Sequence, residues 1–578
     1  MAFLIFLSVM LLNALKPRSM PSLYAQDSDR AGRGSIISAD GFHLANSQKL
    51  YKAVVNTRYV DPQKEELFIQ LFHIYSGIEV KEIRERLKAG NGIVVLSYNI
   101  PPIQAQYLKK LSYELRRFKV FLELVNPKTG YRSIHGLSVL ESGESREYPY
   151  GNLLTPVIGY PHKVEEDGYT HIQGVKGLEK RFDAAMSPRQ DGLSRGKRDV
   201  NGYIILNQES FTKANVSGLD IKLTIPVALQ IRIEKMLDAM KEELDAKQIM
   251  IVVMNSKNGD ILTMASSNRF FPKDIKRSDY PSLRSAMIEY SFEPGSVIKP
   301  ITFSILLENH LVNPYDLVNG HNGRFKIGRK VITDEHRFSW LSAEDVIVYS
   351  SNVGMAQLSQ KLSGYEFYDG LMKFGLSQKS TPDMIYERTG SVPSPKRLEN
   401  EIYKATASYG YGMKANLMQV LRAYSAFNNN GNMVYPKIVK SFVDEFGAEK
   451  QTLYEEQTRA ISSSTAQRMK EILIKTVRQG TGTKAKTPGL TIGGKTGTAH
   501  IVEGGKYVSK YNTAFMGLAN DKENKYTIGV VVVKPLNNHF AAQTAVPVFK
   551  KAVDIMIEDG YLKPNIVEQT SIADNGLH

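Results

Sequence analysis

Phe292-Glu293-Pro294-Gly295-Ser296-Val297-Ile298-Lys299-Pro300 reads as a tight turn running into the first turn of a helix. Pro294 and Gly295 supply the turn, and Ile301, Phe303, Ile305 and Leu306 carry an apolar run behind it. Ser296 and Lys299 stand three residues apart, so a helix places both side chains on one face within mutual reach. A serine hydroxyl becomes a nucleophile once a base removes its proton. A lysine serves as that base when burial or a neighbouring cation keeps it neutral. The helix N-terminus adds backbone N–H groups that can steady an oxyanion. Taken alone, Ser-x-x-Lys fits an ordinary surface helix equally well.

Two further stretches change its weight. Val348-Tyr349-Ser350-Ser351-Asn352-Val353-Gly354 holds a Ser-x-Asn triplet that ends one apolar segment and opens another. Thr491-Ile492-Gly493-Gly494-Lys495-Thr496-Gly497-Thr498-Ala499 holds a Lys-Thr-Gly-Thr run flanked by glycines. Ser-x-x-Lys with Ser-Asp-Asn and Lys-Thr-Gly is the signature of penicillin-binding proteins and class A β-lactamases, and all three occur here in that order and widely spaced, the middle one as Ser-Ser-Asn.

The surrounding pattern predicts an α+β domain over residues 218–562. An amphipathic helix runs from Pro226 to about Lys247, with Leu229, Ile233, Met236, Leu237 and Met240 on one side. The apolar run 249–254 then turns through Asn258-Gly259-Asp260 into 261–264, a hairpin. Residues 512–518 and 526–533 read as two more strands and 546–557 as a helix. Ser296 and Ser350 fall in the helical insert between the strand groups, so a site at the junction of sheet and helical lobe is expected.

Residues 27–215 read as a separate pedestal of mixed short elements. Ile36-Ile37 with the Asp40-Gly41 turn gives two strands, and Asp61-Pro62 starts a helix reaching Ser76. Residues 93–96 make a strand and 101–118 a helix. Gly168 and Gly174-x-x-Gly177-Leu178-Glu179 mark turns, and 187–202 reads as an exposed linker. Residues 563–578 form a tail, of which the last dozen read as disordered. Residues 1–15 are almost wholly apolar, with Lys16 and Arg18 after them and no Lys or Arg before. They read as a membrane anchor whose first residues are absent, with a cleaved signal segment as the alternative.

With 578 residues and 42% apolar composition, several cores are expected. The chain has no cysteine, which excludes disulfides, thiol catalysis and cysteine-ligated metals. The net charge of +15 is spread out, without a dense basic run or aromatic-interleaved patch. Nucleic acid is therefore not expected as a partner, and an anionic polymer or lipid surface fits better.

With its motifs placed, nearly the whole chain resembles a class B penicillin-binding protein. Arg33-Gly34-Ser35-Ile36, Arg146-Glu147-Tyr148-Pro149, Gly159-Tyr160 and Gly177-Leu178-Glu179 resemble that family's non-catalytic pedestal, although Ser38-Ala39-Asp40-Gly41 departs from its usual Asp-Arg-Asn-Gly. Glu293-Pro294-Gly295-Ser296, Ser350-Ser351-Asn352 and Tyr409-Gly410-Tyr411-Gly412 with Gln419 look like the division-specific (septal) branch. The resemblance implies a D,D-transpeptidase that cross-links peptidoglycan stem peptides and is acylated by β-lactams, with no cofactor or metal. Ser296 is then the nucleophile and Lys299 its base, Ser350 a proton relay, and Asn352 the residue positioning Lys299 and the substrate amide. Lys495 supplies positive field, Thr496 and Thr498 around Gly497 hold the substrate carboxylate, and the N–H groups of Ser296 and Thr498 form the oxyanion hole. A septal glycosyltransferase is the implied partner, and the implied location is the cytoplasmic (inner) membrane, single-pass, with the bulk on the periplasmic face.

Alternatives stay open at this point: an elongation-specific transpeptidase, a D,D-carboxypeptidase or serine β-lactamase, or a non-enzymatic β-lactam sensor or division scaffold. Asp334-x-His336 reads as a structural hydrogen bond rather than a metal or His–Asp pair, and Trp340 as core packing. For His500, a substrate contact is the lesser reading.

Overall fold

The computed structural model describes residues 2–15 and 23–565, apart from 91, 123, 126–131, 134–135, 167–168, 198, 200–203 and 453–456. The turn expected at Gly168 and most of the expected tail lie outside the described residues.

The C-terminal half, from about residue 218, is built on a five-stranded antiparallel sheet. Its strands are β1 (Ala246–Asn255), β2 (Ile261–Ser266), β3 (Thr491–Glu503), β4 (Lys506–Asn520) and β5 (Lys525–Pro535), in the order β2-β1-β5-β4-β3. Met250 pairs with Val531, Phe515 with Val530, and Lys495 with Met516. The central strands are apolar at consecutive positions because both faces are covered. Ile249, Ile251, Val253, Val530 and Val532 face one core, shared with helices α1 (Val227–Glu243) and α6 (Ala545–Glu558). Met250, Val252, Met254 and Val531 face the other, shared with the helical lobe.

Four lobe helices bear on the site: α2 (Lys299–Glu308), α3 (Asn352–Ser359), α4 (Leu417–Asn428) and α5 (Ser463–Gln479). The lobe also carries a small hairpin, Arg324–Ile327 paired with Lys330–Thr333. Trp340 lies on this lobe with 60% of its surface exposed, so the expectation of core packing is overturned. The indole sits on a short strand whose inward position is taken by Leu341.

In the pedestal, the long strand His43–Asn56 pairs with Leu137–Glu147 and Ile93–Ile100. Helices Glu65–Ser76, Val80–Ala89 and Pro102–Arg117 supply Phe68, Phe72, Ile83, Leu87, Leu108 and Leu111 to its core. The helix expected to open at Asp61-Pro62 begins at Glu65. The Asp61 carboxylate instead accepts from Gln63 N and shapes a preceding turn. Residues 192–197, expected in a linker, form a strand between Tyr24–Asp29 and Phe211–Lys213. Arg195 and Lys197 project from it to solvent, which gives the segment its loop-like composition.

The pedestal is tied together by a buried ion cluster. Glu179 accepts from Arg33 Nη2 at 2.9 Å through one carboxylate oxygen and from Arg146 Nε at 2.7 Å through the other, and Arg33 Nη1 also reaches Asp183. All the polar groups of Glu179 are matched, which is the condition for burying such charges. The pedestal sheet does not stop at residue 215: Asp220–Leu223 pairs with Ile36–Ile37 on one side and with Val439–Val443, from the C-terminal half, on the other.

At the N-terminus Ala2–Leu15 is a 14-residue apolar helix. It spans roughly 21 Å at 1.5 Å per residue, against about 30 Å of bilayer hydrocarbon. Among the described residues no helix is long and apolar enough to cross a membrane, so the expected spanning segment is not seen as one.

Candidate active site

Gly295–Ile298 forms a 3-10 turn that runs directly into α2 at Lys299. Gly295 adopts φ +59°, open to glycine at little cost, and donates its N–H to Gly410 O at 3.2 Å. Gly410 lies equally tight: a Cβ there would come within 2.1 Å of Gly295 O. On the other side, strand β3 rides over the turn. A Cβ on Gly497 would lie 2.9 Å from Val297 Cγ1 and 3.1 Å from Pro294 O. Glycines at 295, 410 and 497 thus let three backbone segments close around Ser296. As the edge strand, β3 pairs on one side only, leaving alternate backbone N–H groups unpaired with β4.

Lys299 has no solvent exposure, and its Nζ donates to Ser350 O at 2.5 Å and to Ser350 Oγ at 3.2 Å. Burial pushes the ammonium down to about 7, against the opposing pull of Asp334 and Glu335. Ser350 is held at φ +62°, a left-handed conformation that costs a non-glycine residue on the order of 1–2 kcal/mol. Ser351 follows as the N-cap of α3, its hydroxyl accepting from Gly354 N at 2.8 Å.

Lys495 is also fully buried and lies in β3, donating to Thr496 O at 3.0 Å. Burial, then the charge of Lys299, pushes it well below the usual lysine range. Two amines in one dry pocket do not both hold a proton cheaply, so they titrate as a pair. Thr496 Oγ1 hydrogen-bonds Thr481 Oγ1 at 2.8 Å, and Thr498 Oγ1 accepts from Ala541 N at 3.4 Å.

The structure therefore brings Ser296, Lys299, Ser350, Lys495, Thr496, Gly497 and Thr498 to one junction of sheet edge and lobe. Asn352 is at the same junction, but its side-chain amide donates to Thr333 O at 3.1 Å and makes no hydrogen bond to Lys299 among the described residues. His500 is exposed, with its ring against Tyr511 at 4.6 Å between centroids. The short motifs do not reveal Asp334. Its carboxylate accepts from Ser351 Oγ at 2.5 Å, from Val353 N at 2.9 Å and from Asn352 N. It lies in none of the three motifs; the reading of Asp334 as a structural hydrogen-bonding residue holds, while its partners at the start of α3 had no signal in the sequence. No group of residues that could hold a metal occurs among the described residues.

A serine on a helix-opening turn, a buried lysine of lowered basicity one turn on, and a second serine and a strand lysine at the same junction are the residue set of a serine acyl-transferase of the Ser-x-x-Lys class. The pattern described as the penicillin binding protein transpeptidase domain matches residues 249–554, and that of the penicillin-binding protein dimerisation domain matches residues 28–223. The chain belongs to the penicillin-binding protein transpeptidase family, with the dimerisation-then-transpeptidase order of class B members. It is 28% identical over 567 residues to the penicillin-binding protein PbpB of Mycobacterium tuberculosis, covering 94% of this chain and 80% of that one. It is 26% identical over 456 residues to the peptidoglycan D,D-transpeptidase FtsI of Buchnera aphidicola, covering 78% and 76%. In fold it is similar to penicillin binding protein 3 of Mycobacterium tuberculosis complexed with aztreonam, with a TM-score of 0.66 at 24% identity over 93% of this chain and 99% of that one.

Proposed function

We propose that the protein is a peptidoglycan D,D-transpeptidase of septal wall synthesis, acting through an acyl-enzyme on Ser296. The observation that carries this is the Lys299 amine, dry, lowered to about 7 and hydrogen-bonded to Ser350 one helical turn from Ser296. Near neutral pH a large share of such an amine is free base, matched to taking a proton from a hydroxyl. Ser296 Oγ bonds to the carbonyl carbon of a D-Ala–D-Ala stem as its proton passes to Lys299. The oxyanion is met by the N–H groups of Ser296 and Thr498. Collapse breaks the C–N bond, and the terminal D-alanine leaves as its amine takes a proton relayed through Ser350. An acceptor amine then attacks the ester and forms the cross-link. Lys495, at the same junction, faces the substrate carboxylate, which Thr496 and Thr498 hydrogen-bond. Asn352, held on Thr333, is placed for the substrate amide rather than for Lys299.

The names FtsI and PbpB among the relatives, together with Glu293-Pro294-Gly295-Ser296, support the septal assignment. The aztreonam complex of a similar fold supports acylation by β-lactams. The apolar Ala2–Leu15 helix, its described side chains exposed, supports anchoring at the cytoplasmic membrane with the pedestal and catalytic halves on the outer face; a septal glycosyltransferase beside it is the partner that the family resemblance implies. The test is intact-protein mass spectrometry after incubation with benzylpenicillin. A lasting gain of one penicillin on the wild type, absent from Ser296→Ala, is expected. A gain that vanishes within seconds identifies a β-lactamase instead, and no gain refutes the acyl-enzyme.

A further inference from the structure

Asp334 sits at the end of the Lys330–Thr333 strand, its own N–H donating to Gly323 O at 3.0 Å. From there one carboxylate oxygen takes the Ser351 hydroxyl and the other takes the N–H groups of Asn352 and Val353. These are first-turn donors of α3 that no carbonyl of the helix can satisfy. The residue they follow is Ser350, in its left-handed conformation, with carbonyl and hydroxyl both on Lys299 Nζ. A backbone conformation of that kind persists only where its surroundings over-determine it. Two side chains from outside hold this turn: Lys299, through Ser350, and Asp334, through the three residues that follow it.

We propose that Asp334 is the positioning residue of the Ser350–Asn352 segment. By gripping Ser351, Asn352 and Val353 together it fixes Ser350 onto Lys299, and its negative charge favours the protonated form of that amine against the effect of burial. The proposal rests on Ser296 and Lys299 being nucleophile and base. The charged groups facing Lys299 are Lys495 on β3, and Asp334 and Glu335 on the loop after Thr333. Tyr409 faces Asp334 from the segment before Gly410. Both carboxylates favour the protonated amine, so removing either moves the onset of base catalysis to lower pH. Glu335 is exposed and makes none of the contacts to α3, which separates charge from grip.

The experiment measures acylation of the full chain by benzylpenicillin from pH 5.5 to 9.5 for wild type, Asp334→Asn, Asp334→Ala and Glu335→Gln, with thermal melting alongside. Asparagine keeps an acceptor for the two N–H groups and a donor for Ser351. Asp334→Asn should hold the plateau rate within about threefold and move the acid limb down by about half a pH unit or more. Asp334→Ala should lose at least about tenfold of the plateau. Glu335→Gln should move the limb and keep the plateau. An unchanged plateau in a folded Asp334→Ala overturns the proposal, as does an unmoved limb in Asp334→Asn or an equal plateau loss in Glu335→Gln. Should Asp334→Ala fail to fold, Ser351→Ala, which loses one of the three grips, is measured in its place, and an unchanged plateau there overturns the proposal too. A wild type that forms no adduct at all refutes the acyl-enzyme itself and this proposal with it.

Discussion

Tyr424 donates its hydroxyl to the carbonyl oxygen of Val297 at 2.6 Å, from a side chain with no exposure. The nucleophile turn is thus pinned from below by α4, whose other side packs on the sheet through Leu417 and Leu421 against Gly529. Tyr424→Phe leaves that carbonyl without its partner in a dry core. It should cost about 1–3 kcal/mol in urea unfolding and slow acylation several-fold by loosening the turn.

Gly497 sets how closely β3 approaches Ser296. Gly497→Ala brings a methyl into Val297 Cγ1 and Pro294 O, which belong to the turn itself. The protein should fold with near-normal melting while acylation falls by at least about tenfold, because an ångström of misplacement at reacting groups is expensive. Benzylpenicillin kinetics beside circular dichroism checks both halves.

The lowered basicity of Lys299 predicts opposite consequences for activity and stability. Acylation should rise with pH through about 7 as the amine loses its proton. The folded value lies below the unfolded one, so between about 7 and 10.5 the unfolded chain binds the extra proton, and stability from this group grows with pH across that window. Its cost is fullest below about 7. Lys299→Met should therefore be inactive yet more stable than wild type by a few kcal/mol at pH 6, with the difference shrinking toward pH 10. Melting of both proteins at several pH values tests the sign.

In the pedestal, Glu179→Ala takes from Arg146 its paired carboxylate and from Arg33 one of its two, leaving Asp183 and the nearby Glu144 to face the two guanidinium groups. Removing the paired carboxylate of a buried guanidinium should cost about 3–5 kcal/mol. Protection from hydrogen exchange should collapse first in the strands around Leu137–Glu147 and Tyr169–Gly174, while Ser296 remains able to take up benzylpenicillin.

Much of this was legible in the chain. Ser296, Lys299, Ser350 and Lys495 are announced by short motifs because helix and strand geometry tie spacing to direction, and the β1–β2 hairpin by its Asn258-Gly259-Asp260 turn. What stayed hidden depends on partners far off in sequence. Asp334 matters through a helix start 18 residues on, and no spacing rule links a loop carboxylate to a cap. Residues 192–197 form a strand by pairing with Tyr24–Asp29, a match that its glycines and basic side chains conceal. Asn352 was expected on Lys299, but the Lys330–Thr333 strand offers its amide a nearer carbonyl. Trp340 illustrates that a large apolar residue need not be inside.

The order of strands in the catalytic sheet has a consequence for how the molecule is made. Strand β1 sits second from an edge, and its inner neighbour is β5, so Met250 waits for Val531. Between them the ribosome must deliver the entire lobe and both strands of the β3–β4 hairpin. Until residues 525–535 emerge, the run from Ile249 to Met254 has an open flank of unsatisfied amides and carbonyls beside bare aliphatic side chains, the kind of surface that invites pairing with the wrong chain. Closure over so long a loop is intrinsically slow. The newborn protein is therefore a natural client for holding chaperones, and its yield in a host should respond more to their supply than to the stability of the finished fold.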